Sequence, residues 1–286
     1  MNVIKHYHSD PVLREGFNRL AEATFGLNFE AWYQNGFWQG EYTPYSAVED
    51  GKIVANVSLN RTDMRIGDRR LRLYQLGTVM TDPAYRNRGY IRAIMKEIDR
   101  DTQDADGVYL FGNDNVLDFY PKFGFTQGAE FLYEKDVFQH SPCAMRQVPM
   151  KGPEDWARLR AAMDMGEPLS ACAMEDNPGL IFFYVSQFMR DNVYCDPGTG
   201  VWAIAEMEAG KLLLHNVFCP QAVTLDDVIA AFGADVHHVT LGFTPADAAG
   251  FACAPYHEED CTFFVKGGCF EEFAARKLRI PSLSHA

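Results

Sequence analysis

Between Leu71 and Gly112 the chain reads strand, turn, helix, strand, and this order restricts the fold more than any other segment. RLRLYQLGTVMT is a β-rich run that ends at Thr81, because Pro83 cannot continue a ladder. Tyr85–Gly89 turns, and Ile91, Ile94, Met95 and Ile98 then recur at helical spacing, which makes one apolar stripe. Gly107-VYLF-Gly112 is short and wholly apolar, the pattern of a strand covered on both faces. A chain built around this unit is a mixed α/β fold.

The flanking segments agree. VIKHYH alternates like a short strand. Asp10 is an N-cap and Pro11 a first helical residue for a helix carrying Val12, Leu13, Phe17, Leu20 and Ala21. YSAVEDGKIVANVSLN is a hairpin turning at Asp50-Gly51, and a further turn at Ile66-Gly67-Asp68-Arg69 places Arg65, Arg69, Arg70 and Arg72 in solvent. Asn113–Phe123 is a brief helix stopped at Gly124, and FLYEKDVF adds a strand that completes a first domain over 1–140. The proline-rich run HSPCAMRQVPMKGPEDW marks a linker at 141–152. In 153–286 a helix from Pro153 precedes strands at VWAIAEME and KLLLHNVF, a capped helix at Thr224–Phe232, and strands at VHHVTLGF and CTFFVKG. That order repeats the first half and suggests a diverged duplication. A length of 286 residues with 47% hydrophobic content suffices for two cores.

The formal net charge is −13, and both halves are acidic, which excludes duplex nucleic acid as a partner and favours cationic ligands. The seven cysteines all fall in the second half, without a C-x-x-C, so neither a disulfide framework nor a metal site is expected. No apolar run reaches membrane-spanning length, and no signal core opens the chain; the expectation is a soluble, cytoplasmic protein with no membrane partner.

Against this acidic background Arg86, Arg88 and Arg92 crowd one helix start around Gly89. A helix N-terminus exposes unpaired N–H groups and the positive end of the dipole, and a glycine lets several amides converge on one anion. Arginines add charge-assisted hydrogen bonds. The stretch therefore builds a cradle for a diphosphate.

Arg86-Asn87-Arg88-Gly89-Tyr90-Ile91, after a strand, resembles the R/Q-x-x-G-x-G/A motif of the GNAT acetyltransferase superfamily, with Ile91 replacing the last small residue. Asn113–Phe125 resembles that superfamily's second signature, N-x(6)-Y-x-x-x-G-F. RNRGYIRAIM with YPKFGF is similar to the Eis type, which joins tandem GNAT folds; this chain lacks the length for that type's sterol-carrier-like domain. The resemblance implies a GNAT fold in the first half and a smaller GNAT-like domain in the second.

It also implies acetyl-coenzyme A as cosubstrate, lying between two splayed parallel strands. Backbone groups of Val79, Met80 and Thr81 would hold the pantetheine arm, and amides from Asn87 through Gly89 and Tyr90 to Ile91 the diphosphate. Asn113 would help to hold the cofactor. Tyr120 would protonate the leaving thiolate, and the Met80 N–H would face the oxyanion. Glu30, Trp32, Tyr33 and Trp38 fall in the region that covers the acceptor. The general base stays open among Glu30, Glu41, Glu49, Asp82 and a water chain; the Eis type suggests the terminal carboxylate, here that of Ala286. The second half has no basic turn after KLLLHNVFCP, which leaves it to complete the acceptor pocket or to form a subunit interface in a homo-oligomer. The activity implied is N-acetylation of a small cationic amine. A protein N-acetyltransferase and a non-catalytic acyl-coenzyme A sensor are the alternatives.

Overall fold

Asp10 accepts hydrogen bonds from the Val12 and Leu13 N–H groups, and Pro11 takes the first helical position, so α1 (Pro11–Phe25) begins where its capping chemistry dictates. The computed structural model describes residues 2–285. Around α1 lie β1 (Asn2–Ile4), α2 (Glu30–Gln34) and the hairpin β2 (Tyr42–Glu49) and β3 (Lys52–Arg61). Then come β4 (Met64–Ile66), β5 (Arg69–Leu71), β6 (Leu73–Thr81), α3 (Tyr90–Asp101), β7 (Gly107–Gly112), β8 (Thr126–Gln127) and β9 (Glu130–Asp136). The second half supplies β10 (Arg146–Gln147), α4 (Pro153–Met163), β11 (Cys172–Met174), α5 (Pro178–Gln187), β12 (Val193–Asp196), β13 (Val201–Glu208) and β14 (Lys211–Phe218). It closes with α6 (Leu225–Ala231), β15 (His238–Leu241), β16 (Ala252–Tyr256), β17 (Thr262–Lys266) and α7 (Phe270–Ala275).

Two seven-stranded mixed sheets result, in the orders β1-β2-β3-β6-β7-β17-β8 and β10-β12-β13-β14-β15-β9-β16. Each has one parallel pair, β6 with β7 and β14 with β15, and each pair is joined through a helix, α3 or α6. In each sheet the strand beyond that pair comes from the other half: β17 lies antiparallel to β7, and β9 antiparallel to β15. The sheets therefore do not follow the division into 1–140, 141–152 and 153–286. The first sheet is completed from the far end of the chain, the second borrows residues 130–136, and the expected linker contributes β10. FLYEKDVF forms a strand as its alternation predicts, but alternation carries no information about which sheet receives it.

α3 lays Ile94, Met95 and Ile98 on Val57, Leu59, Leu76, Leu110 and Phe264 of the first sheet. On the opposite face Phe17, Phe29, Trp32, Trp38 and Tyr42 close on Phe183 of α5, so the two halves share a core. A small sheet, β11-β4-β5, ties them again. The arginines expected in solvent serve the same join: Arg65 pairs with Glu175 (3.1 Å), Arg69 with Glu272 (2.6 Å), and Arg70 with Asp63 (3.0 Å) and Asp176. Arg72 pairs with Asp104. Basic residues on this hairpin meet acids of the second half, a partner the local sequence does not reveal.

Candidate active site

The parallel ladder between β6 and β7 runs from Leu73↔Gly107 to Leu76↔Leu110 and stops, although both strands continue. The cause lies on the other edge of β6. Its register with β3 jumps from Asn56↔Met80 to Ser58↔Gly77, so Thr78 and Val79 together face Val57, a bulge that bends the strand. Thr78 has φ 43°, a left-handed conformation that a β-branched residue seldom adopts.

A buried polar network holds it there. Asn56 Nδ2 donates to the Thr78 carbonyl (3.0 Å) and to Ser58 Oγ (2.9 Å), and Ser46 Oγ donates to Asn56 Oδ1 (2.8 Å). Thr78 Oγ1 lies 2.6 Å from both Ser58 Oγ and the Tyr42 hydroxyl.

The Asp82 N–H donates to Val54 O (2.9 Å), and strand alternation turns the Met80 N–H the same way, toward β3. The oxyanion donor expected at Met80 is thus engaged on the wrong edge. Val79 and Thr81 direct their N–H groups into the opening left by β7. A one-residue bulge decides this, and no motif announces it.

Below the opening the chain makes a turn at Pro83–Tyr85, where Asp82 accepts from the Ala84 N–H (2.9 Å). Asn87 (φ 62°) and Gly89 (φ 82°) then alternate with Arg88, so consecutive amides face one concavity. No side chain caps α3, which leaves its first N–H groups open. Among the described residues Arg86 and Arg92 have no ion-pair partner. Arg88 donates to Ala84 O (3.0 Å), covers the Tyr85 ring and stands 3.7 Å from Glu49.

A cleft of about 640 Å³ unites these features. Val79, Met80, Thr81, Arg86, Asn87, Arg88, Gly89, Tyr90, Ile91, Asn113 and Tyr120 all line it. Lys122 lines it as well, a cation the sequence reading missed, although its place two residues after Tyr120 put it at the same turn. Asn113 is already engaged: its Nδ2 donates to the Asp260 carboxylate (2.9 Å), leaving Oδ1 as its unspent polar atom.

Tyr120 sits at 6% exposure against Phe264, with ring centroids 5.3 Å apart. A Cβ at Gly112 would come within 2.8 Å of Tyr120 Cε2, so glycine there seats the ring. Burial pushes the phenol up to about 12, which keeps it protonated at neutral pH. Its hydroxyl bonds to none of the described residues.

The residues expected around the acceptor lie outside this cleft. None of Glu30, Trp32, Tyr33 and Trp38 lines the cleft. Trp32 and Trp38 are buried, their indole N–H groups donating to Gly179 O (2.9 Å) and Tyr42 O (3.1 Å). Tyr33 lies beneath Arg14, which pairs with Glu30 (2.7 Å) and holds that carboxyl below its usual range. Aromatic content alone could not separate a pocket wall from the core shared with α5. Ala286 lies outside the described residues. In the second half the N-terminus of α6 is closed by a capping box, Thr224 with Asp227, and Asp226 adds acid. An anion is repelled there.

Residues 13–128 match a family model described as an acetyltransferase (GNAT) domain. No curated protein matches the sequence. Among solved structures the chain superposes on a conserved Enterococcus faecalis protein of unknown function with TM-score 0.60 at 15% identity, over 95% of this chain and 74% of that one. A GCN5-related N-acetyltransferase from Kribbella flavida gives 0.57 at 15%, over 97% and 74%. Eis1 from Mycobacterium abscessus gives 0.56 at 14%, over 92% and 73%. At such identities the likeness is one of fold, and it extends through both halves.

Proposed function

With residues 13–128 a GNAT acetyltransferase domain, we propose that the chain is an N-acetyltransferase that passes an acetyl group from acetyl-coenzyme A to a primary amine of a small cationic acceptor. The carrying observation is convergence: an unpaired strand segment, an uncapped helix start with free arginines, and a buried protonated phenol share one cleft. The cosubstrate fits these donors. Amides from Asn87 to Ile91, with Arg86 and Lys122, suit a diphosphate, and the free edge of Val79–Thr81 suits an extended amide-bearing arm.

When bound, acetyl-coenzyme A supplies an activated acetyl thioester and a thiol leaving group. The chain does the rest. The Val79 and Thr81 N–H groups would hold the arm and offer donors beside its thioester, fixed in direction by the bulge before any charge develops. The Tyr120 hydroxyl would supply a proton to the departing thiolate, and burial holds that hydroxyl in its donor form up to alkaline pH. The acceptor must present a neutral amine, since an ammonium has no lone pair. The net charge of −13 favours a cationic acceptor over an anionic one at long range.

Product formation with Tyr120→Phe tests the reading across polyamines, aminoglycosides and peptides. Turnover should fall about 10²- to 10⁴-fold, with acetyl-coenzyme A affinity held within a few-fold. Cofactor binding with no product from any acceptor would instead favour a sensor. Product from peptides alone would favour a protein N-acetyltransferase.

A further inference from the structure

β8 gives way to β9, and β16 to β17, at a single crossing, and beside it lies a second cavity of about 350 Å³. Asp114, Gln127, Glu130, Tyr256, His257 and Thr262 contribute to its wall. It backs onto the cofactor cleft through one stretch of chain: Asn113 and Val116 line the cleft, while Asp114 and Leu117 line this cavity. Its wall carries two carboxylates and neither lysine nor arginine. Asp114 accepts from Thr262 Oγ1 (3.2 Å), and the Asp114 N–H is held by Asp260 (2.7 Å), so the wall is built rather than loose.

Glu130 stands out. It is 7% exposed, and its Oε1 is sealed from solvent with no hydrogen-bond partner among the described residues. A buried carboxyl is costly unless something donates to it. Arg279 acts on it only through space, since its guanidinium is stacked 4.4 Å from the Tyr256 ring and forms no ion pair with Glu130. Glu258 opposes Arg279, and the Tyr256 phenol and Cys261 thiol also face Glu130. Among the described residues no three His, Cys, Asp or Glu side chains are placed to hold a metal ion. An ammonium group brings what no described side chain gives this carboxyl, hydrogen-bond donors, and adds its charge to the through-space one of Arg279, in a space of organic size.

We propose that this cavity binds the ammonium group of a small organic cation, with Glu130 as its anionic partner and Asp114, Gln127 and Thr262 as flanking polar contacts. Without a ligand, burial raises the Glu130 carboxyl to about 7, against the pull of Arg279 and helped by Glu258. A bound cation favours the carboxylate. Binding below that pH therefore expels a proton, and affinity rises about tenfold between pH 6 and pH 8. That the bound cation is the acetyl acceptor rests on the acetyltransfer reading, so binding is measured without cofactor.

The test is calorimetry on the full chain with 1,4-diaminobutane, with neutral 1,4-butanediol as the uncharged control. Titrations run from pH 6 to 8 in buffers of different ionisation heat. Saturable binding with proton release at pH 6.5, a silent diol, and affinity at least tenfold weaker in Glu130→Gln support the site. No binding, equal binding of the diol, or unchanged affinity in Glu130→Gln overturns it. Should Glu130→Gln fail to fold, Asp114→Asn and the wild-type proton release decide, and absent release overturns the site. Acetyl-coenzyme A is titrated separately into the same samples. Diamine binding without cofactor binding sinks the acetyltransfer reading and spares the pocket, and the reverse result sinks only the pocket.

Discussion

The bulge in β6 is held by Asn56, and removing that side chain tests whether the cleft depends on it. Asn56 is fully buried and makes three side-chain hydrogen bonds, one accepted from Ser46 and two donated, to Ser58 and the Thr78 carbonyl. Each is worth about 1 kcal/mol net, and buried groups left without partners add to the loss, so Asn56→Ala should cost about 2–4 kcal/mol. The left-handed Thr78 stores roughly 1–3 kcal/mol that the network must offset. Freed of its tether, the bulge relaxes toward regular pairing, and Val79 and Thr81 turn their N–H groups away from the opening. Chemical denaturation should show the stability loss, and calorimetry an acetyl-coenzyme A affinity at least tenfold weaker. Ser46→Ala is the control: it lies one bond farther out, so stability should fall by about 1–2 kcal/mol with affinity within about threefold. Thr78→Gly in the Asn56→Ala background should recover part of the stability, because glycine adopts φ 43° freely. A destabilised Asn56→Ala protein that binds cofactor as tightly as wild type would refute the link between network and cleft. A loss below about 0.5 kcal/mol would mean the network contributes little.

Two further outcomes follow from the same geometry. Arg86→Ala with Arg88→Ala should weaken acetyl-coenzyme A binding about 10- to 100-fold at low salt and flatten the dependence of log Kd on log salt, as isothermal titration at several ionic strengths would show. A fragment ending at residue 140 should not fold on its own, since it lacks Phe263, Phe264 and Val265 of β17, whose burial stabilises by roughly 5–8 kcal/mol, comparable to a whole domain's margin. A cooperative melt and wild-type cofactor affinity in that fragment would contradict this.

The local parts of the site were legible because each rests on local chemistry. Asp10 and Pro11 start α1, Asp50-Gly51 turns the first hairpin, and Gly89 opens α3, all from rules spanning a few residues. The cleft gathered Val79–Thr81 and Arg86–Ile91 for the same reason, since strand, turn and helix run without interruption from Leu73 to Asp101, and Asn113 and Tyr120 join them because β7 lies beside β6. What could not be read was partnership at long range. Trp32 and Trp38 looked like a pocket wall because nothing local names Phe183 and Gly179 as their partners. Arg69 and Arg70 are exposed, as their place at a turn implies, but their pairing with Glu272 and Asp176, and that of Arg65 with Glu175, spans a hundred or more residues and has no local signal. The Met80 assignment failed differently, on one extra residue in a ladder, which reverses the direction of the backbone donors beyond it.

Strand exchange gives these long-range partners a common cause. In the first sheet the parallel pair parts at one end, and in each sheet a strand of the other half, β17 or β9, lies beside the second strand of the pair. Since β17 lies beside β7, Phe264 backs Tyr120 and Thr262 fixes Asp114, so the second half reaches the chemistry without lining the cofactor cleft. The two sheets share one topology, and what separates them is a few residues at one helix start. At α3 the donors are left open beside Arg86 and Arg92; at α6 they are consumed by Thr224 and Asp227. An anion site needs the first arrangement and is repelled by the second. Two sheets of the same strand order can therefore differ in whether the helix start is open to an anion. The second half still supplies β17, the strand whose Phe264 backs Tyr120.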